Sequence, residues 1–516
     1  MQIPLSILNV TLYLRSVIGF RRLPRKEMDM HESPTHSLNN SMEARKTTRR
    51  VFLGAAGAAA WTAASYVRVL GANDRIGIGV IGFGLIGKQH ITDLKKFKDV
   101  ELLGMCDTYK PRLEEGLAYM ESPGARGYGD FRKMYENKDI QGVLVATPDH
   151  WHALQTILAC QAGKDVYVEK PMTLFIDEGK WMVQAARKYK RIVVVGTQRR
   201  HGQGVIDSRK VVESGVLGKI HSIRWSSYRN IYPGFGRTPV SEPPAGFDYD
   251  MWLGPAEKKP YTGHRGIYHF RWFWDYSGGQ MTNLGAHIID QVLYVMNVKG
   301  PSLVTSTGGR YALEDDGETP DLQDAMWIFD GPDPKTPGFI MNAAIREANA
   351  SRSIPDAEAR GQLYMGTRGT MVLAGNWEVL PEMKGDPIND IPRFSGHPTG
   401  GPVYSDTKPA PWIEALKGKG MESDARYGVG GEDTLAMNKQ DWLNSIRTRK
   451  RPFCEVEDGH RVAVACNLAN MSLRLGRSIR WDPEKEQVIG DREAAALCVR
   501  PYRAPWDKAL KDALRA

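Results

Sequence analysis

Arg75-Ile76-Gly77-Ile78-Gly79-Val80-Ile81 runs straight into Gly82-Phe83-Gly84-Leu85-Ile86-Gly87. The first seven residues read as a short apolar strand, the next six as a complete G-x-G-x-x-G, and a helical stretch over 88–97 follows. The glycines in such a motif have separate tasks. Gly82 makes the tight turn, Gly84 lets backbone approach a pyrophosphate, and Gly87 lets helix and strand pack closely. The phosphates then lie on free N–H groups at the helix N-terminus, which draws Phe83, Leu85 and Ile86 into the same site. A second strand, 100–106, ends in Asp107, 20 residues beyond Gly87, where a carboxylate meets ribose hydroxyls. A carboxylate repels a 2′-phosphate, so NAD is the expected cofactor. Tyr109 and Lys110 beside it leave NADP open.

Outward from this unit the strand–helix alternation continues. Strands read over 140–146, 165–168 and 191–195, with helices over 151–162 and 176–188. That order implies a doubly wound parallel sheet whose ligands lie at the carboxyl ends of the strands. Residues just past those ends are therefore candidates for the cofactor site: Thr147, Pro148 and His152, then Glu169 and Lys170 before Pro171, then Gln198.

G-x-G-x-x-G, then Ala146-Thr147-Pro148 with His152, then Glu169-Lys170-Pro171, in this order and spacing, resembles the glucose-fructose oxidoreductase/inositol dehydrogenase (Gfo/Idh/MocA) family. A second match lies at Gly278-Gly279-Gln280-Met281-Thr282-Asn283-Leu284-Gly285-Ala286-His287-Ile288-Ile289-Asp290. The resemblance covers about residues 73–480, and the residues beyond look like an exported subgroup. It implies an α/β chain with an N-terminal Rossmann domain and a C-terminal α+β domain carrying a large, mainly antiparallel open sheet. The outer face of that sheet is implied to join subunits of a homo-oligomer. Strands read over 220–229, 303–311, 324–329, 339–346, 362–365 and 370–374; helices read over 440–447 and 459–475; 381–432 reads as long loop.

Hydride transfer needs a group to take the alcohol proton and a donor to hold the developing oxyanion. The resemblance gives the catalytic lysine's place to Lys170 and the catalytic histidine's to His287. Asn283 stands four residues before His287, on one helix face, where the family has Asp. Asn orients a partner but carries no charge, which shifts the acid/base role toward Lys170 or implies slow turnover. Upstream, Tyr268, Arg271 and Trp272 belong to an aromatic run, 261–276, whose flat faces suit pyranose rings. With Arg199, Asn283 and His287 they form the expected substrate set. The expected substrate is a sugar, cyclitol or glycoside. Two alternatives stay open: a glycosidase using bound NAD as a transient oxidant, and a weak carbohydrate-binding protein that retains nucleotide.

Composition sets limits. The 516 residues, 41% hydrophobic and 25% charged, are ordinary globular content for two to three domains. Of the +9 net charge, residues 1–50 supply nine Lys/Arg against four Asp/Glu, so no basic face for nucleic acid remains. Five scattered cysteines form no C-x-x-C, and no H-E-x-x-H occurs, so no metal site is expected. Thr48-Arg49-Arg50-Val51-Phe52-Leu53 has the form of a twin-arginine signal, ahead of a charge-free stretch and Ala63-Ala64-Ser65. This predicts a partner in the twin-arginine export machinery, a periplasmic or exported protein, and a start at Met42. The expected divisions are a leader (1–72), an NAD-binding domain (73–198), a substrate and oligomerisation domain (199–480) and a tail (481–516).

Overall fold

The computed structural model describes residues 75–333, 336, 338–350, 361–382 and 433–515. The twin-arginine segment, Met42 and nearly all of the long 381–432 loop lie outside them.

Strand β1 (Ile76–Ile81) is buried along its whole length, as a central strand covered on both faces must be. It pairs in parallel with β2 (Val100–Cys106) on one side and β4 (Gly142–Val145) on the other. With β3 (Arg126–Tyr128), β5 (Asp165–Val168) and β6 (Val193–Val195), the order is β3-β2-β1-β4-β5-β6. The chain reverses direction across the sheet between β1 and β4, so a crevice opens at their carboxyl ends, at Gly82 and Ala146. Helices Leu85–Leu94, Lys110–Met120, Asp149–Gln161 and Ile176–Lys188 cover the sheet.

Among the described residues a second sheet has nine strands: β7 (Ile220–Tyr228), β8 (Leu303–Gly309), β9 (Leu322–Phe329), β10 (Phe339–Arg346), β11 (Gln362–Gly366), β12 (Gly369–Ala374), β13 (Asn376–Pro381), β14 (Ile479–Asp482) and β15 (Gln487–Val488). Their order is β13-β12-β11-β7-β10-β9-β8-β14-β15. Among these described strands only β7 and β10 pair in parallel; the other neighbours run antiparallel. Helices Gly285–Met296 and Val456–Leu475 pack on one face and build the larger core with Trp225, Trp327 and Met341. The opposite face presents Arg224, Thr305, Asp324, Asn342 and Arg346 around an open groove.

The chain then returns to the first domain. Helix Thr434–Thr448 buries Trp442 against Tyr167, with ring centroids 5.7 Å apart, and sets Lys439 on Asp93 at 3.0 Å, both wholly buried. Helix Trp506–Arg515 lays Trp506 on Trp151 and Phe131, at 4.9 and 6.1 Å between centroids. The 199–480 and 481–516 stretches thus each contribute to the packing of the nucleotide-binding domain. All five cysteines are buried free thiols. Among the described residues no helix is long and apolar enough to cross a membrane, and no cluster of His, Cys, Asp and Glu is placed to hold a metal.

Candidate active site

The crevice holds a cavity of about 600 Å³. The glycine loop forms one wall. Gly82 has φ +94°, open to glycine at low cost, and a Cβ there would lie 2.6 Å from the Ala146 carbonyl. A Cβ on Gly87 would lie 2.1 Å from the Gly82 carbonyl, so helix and loop touch backbone to backbone. Gly84 differs: a Cβ there meets nothing within 4 Å, because it points into the open cavity at the start of helix Leu85–Leu94. That is the space and the dipole a pyrophosphate needs. Leu85 and Ile86 line the cavity; Phe83 does not, being buried with its N–H on Asp107 at 2.8 Å.

Asp107 lines the far end and takes a second N–H, from Tyr109, at 2.9 Å. Burial pushes its carboxyl up from the ordinary range, against those two hydrogen bonds. Lys110 lies beside Glu114 at 3.8 Å and Tyr109 packs edge-on to Phe247. Arg112, a residue the motif reading passes over, lines the cavity instead.

Past β4, Thr147 and Pro148 line the cavity. His152 turns inward and ties two strand-end turns together, Nδ1 2.7 Å from the Pro171 carbonyl and Nε2 2.8 Å from the Thr147 carbonyl. Past β5, Glu169 lies between His90 and the Lys170 backbone. It accepts from His90 Nε2 at 2.8 Å and from the Lys170 N–H at 3.0 Å. Burial alone would raise the Glu169 carboxyl, but the hydrogen bond and the charges around it hold it below the ordinary range. Burial lowers the His90 pKa against the pull of Glu169, and because a carboxylate only accepts, the His90 Nε2–H is the donor. Gln198 stands on a short 3-10 turn, Gln198–His201, with its Oε1 buried and without a partner among the described residues.

Lys170 reaches across the crevice to the second domain. Its Nζ donates to the side-chain oxygen of Asn283 at 2.8 Å and to the Asn283 carbonyl at 3.2 Å. Burial depresses its pKa; Arg271 and Arg199 push the same way, opposed by Glu169 and Asp149. The expected Asn283–His287 pair does not form. The helix is interrupted at Leu284, between Gly279–Asn283 and Gly285–Met296, and His287 N–H takes a tighter bond to the Leu284 carbonyl. The Asn283 amide turns instead to Lys170 and to Gln280. His287 is buried beside Lys170, its Nδ1 without a partner among the described residues. Burial, with Lys170 and Arg199, drives it well below the usual histidine range, so it is neutral.

Of the expected substrate residues, Tyr268 (64% exposed) and Arg271 line the cavity, and Arg199 is exposed on the His287 side. Trp272 does not reach the cavity: it is buried beneath the Arg229 guanidinium, 5.2 Å from its ring. Tyr261 and Tyr276 pack in a cluster with Trp252 and Phe273, and of these four Trp252 lines the cavity. The sequence reading also missed Asp149, which lines the cavity. It is hydrogen-bonded to Ser277 and raised by burial against the nearby His152, Arg271 and Lys170. Asp290 forms a buried ion pair with Arg200.

Two family models match this chain. One, described as an oxidoreductase family with an NAD-binding Rossmann fold, covers residues 76–197. The other, the oxidoreductase family's C-terminal alpha/beta domain, covers 201–307 and 429–508. Together they take in more than half the sequence, and the chain belongs to the Gfo/Idh/MocA oxidoreductase family. The myo-inositol 2-dehydrogenase of Thermotoga maritima is 32% identical over 151 residues, 29% of this chain and 44% of that protein. A glycosyl hydrolase family 109 protein of Shewanella pealeana is 25% identical over 316 residues, 54% of this chain and 66% of that protein. The chain thus matches less than half of the inositol dehydrogenase and just under two thirds of the hydrolase. Among solved structures, the WlbA dehydrogenase of Bordetella pertussis, in complex with NADH and UDP-GlcNAcA, superposes with TM-score 0.55 and 19% identity. The match covers 79% of this chain and 99% of that one. Levoglucosan dehydrogenase, in complex with NADH and levoglucosan, gives TM-score 0.53 at 19% identity, over 79% and 99%. These two share the fold.

Proposed function

We propose that this protein oxidises a ring carbinol of a sugar, cyclitol or glycoside, with NAD as cofactor and Lys170 as the base. The observation that carries the reading is the set of partners on Lys170. A neutral amine has two N–H groups and one lone pair. Both N–H groups have acceptors on Asn283, one in the side chain and one in the backbone. The lone pair is then left for the cavity that Lys170 lines. Burial, Arg271 and Arg199 favour this neutral form, and a neutral amide partner does not oppose it. Bound NAD supplies the hydride acceptor. Lys170 takes the hydroxyl proton as the carbonyl forms, and the neutral His287 ring beside it orients the reacting oxygen. The open space at Gly84 fits the pyrophosphate, and Asp107 is read as selecting NAD over NADP.

The hydrolase relative, which aligns over more of this chain than the inositol dehydrogenase does, favours a second reading. In it the same oxidation is transient and ends in glycoside cleavage. Asn283 is engaged as an acceptor for Lys170, which speaks against a merely binding role. We further propose export by the twin-arginine route, from Arg49-Arg50, and a homo-oligomer packed through the sheet face opposite the helices, at Thr305 and Arg346. Replacing Arg49 and Arg50 by Lys should trap the precursor inside, and gel filtration reads the oligomer.

The test of the reading is Lys170→Met assayed against inositols and pyranosides. The expected result is intact NAD binding with turnover reduced by roughly 10²–10⁴, as for a positioned acid/base group. Unchanged turnover removes Lys170 from the mechanism.

A further inference from the structure

Asn283 does not stand alone behind Lys170. Its Nδ2 donates to Gln280 Oε1 at 2.7 Å, and Gln280 Nε2 donates to Glu347 Oε1 at 3.1 Å. Glu347 is wholly buried and held by the Arg229 guanidinium, whose Nε reaches its two oxygens at 2.8 and 2.6 Å. The chain of contacts therefore runs Arg229–Glu347–Gln280–Asn283–Lys170, from the end of the second sheet to the catalytic crevice.

Primary amides have two ends of similar shape and opposite polarity. A carboxylate held by Arg229 only accepts. It draws the Gln280 NH₂ toward itself and turns Gln280 Oε1 toward residue 283. That oxygen in turn fixes the Asn283 NH₂, which leaves Asn283 Oδ1 facing Lys170. We propose that Gln280 and Glu347 are positioning residues that set the polarity of the Asn283 amide, so that Lys170 meets an acceptor and keeps its lone pair on the cavity. This rests on Lys170 being the base. The same chain matches residue 283 to Asn: a carboxylate there would turn an oxygen on Gln280 Oε1, which Glu347 prevents from rotating away.

Without Gln280, the Asn283 amide is free to rotate and donate its NH₂ to the Lys170 lone pair. The amine is then stabilised as neutral but its lone pair is occupied. A carboxylate at 283 is an acceptor at both ends, so it needs no such guide.

The experiment is Gln280→Leu, which keeps the buried volume, made in the wild-type chain and in the Asn283→Asp background; Gln280→Met repeats it with a different apolar shape. The titration of Lys170 is read in the NAD-bound full chain from the pH dependence of its competitive acylation, by peptide mass spectrometry. Turnover is measured alongside. In the wild-type chain the substitution should lower the Lys170 midpoint by about one pH unit, a tenfold change in the base fraction, and still reduce the plateau rate. In the Asn283→Asp background it removes the oxygen that faces the carboxylate, so the midpoint should hold or rise rather than fall, and the plateau rate should hold or improve. Equal shifts in both backgrounds, or none in either, overturn the proposal, because a packing role does not distinguish Asn from Asp. If no sugar or cyclitol is turned over but the labelling pattern holds, the dehydrogenase reading fails and the polarity relay stands.

Discussion

Asn283→Asp places a carboxylate where a neutral amide oxygen now lies 2.8 Å from Lys170 Nζ. At an effective dielectric of about 20, a unit charge at that distance is worth ~6 kcal/mol to the ammonium form. The new carboxylate's own burial and the Gln280 oxygen facing it take back part, which leaves an expected rise in the Lys170 pKa of about 1–3 units. The sign follows from the role. Lys170 must be neutral to accept the hydroxyl proton, so oxidation rises with pH through its pKa. That pKa is depressed in the wild type, chiefly by burial, and the acidic limb lies below the ordinary lysine range. The variant moves the limb to higher pH and loses rate at neutral pH, while NAD affinity holds. The assay is kcat/KM against pH, repeated in a His287→Asn background. A shift that survives there belongs to Lys170. If the shift vanishes with His287, the histidine is the titrating group and the assignment of the base is wrong.

Gly84→Ala and Gly87→Ala should separate binding from folding. At Gly84 (φ −84°) the added methyl meets nothing, so thermal stability should hold or rise by about 0.4–1 kcal/mol while NAD binding falls sharply in calorimetry. At Gly87 the methyl meets the Gly82 carbonyl, and a loss of about 1–3 kcal/mol in denaturant melts is expected. Lys439→Met leaves Asp93 buried with one partner fewer and should cost about 3–5 kcal/mol. The double change with Asp93→Asn should recover a good part of it. Asp107→Ser should weaken NAD relative to NADP in binding titrations; a wild type that already prefers NADP refutes the reading of that carboxylate.

The parts of this molecule legible in the sequence are those whose backbone demands fall within a few residues. The glycine loop and the turn at Glu169-Lys170-Pro171 are local, and helix 176–188 and strand 100–106 have the bounds read for them. The contact of Lys170 with Asn283 bridges 113 positions and two domains, and nothing in either segment announces it. The i,i+4 spacing of Asn283 and His287 suggested a pair, but the interruption at Leu284 turned the two side chains to different neighbours. β3 has three residues, too few for a periodic signal. Lys439 and Trp442 gave no hint that their helix returns to the first domain, because a buried lysine reads as a surface one until Asp93 is beside it. The expected tail, 481–516, ends instead in a helix whose Trp506, Leu510 and Ala513 fall at helical spacing and are all buried; the period is there, but over only ten residues it is a weak signal.

Net oxidation at the Lys170 crevice is what separates a dehydrogenase from a redox-neutral hydrolase. The direct measurement follows the redox state of the nucleotide while purified protein and NAD act on myo-inositol and on pyranosides with a chromogenic aglycone. The expected result is NADH accumulating one for one with a ketone, at a rate that Lys170→Met reduces without loss of NAD binding. Release of aglycone with the nucleotide still oxidised at the end contradicts it and assigns the chemistry to redox-neutral cleavage.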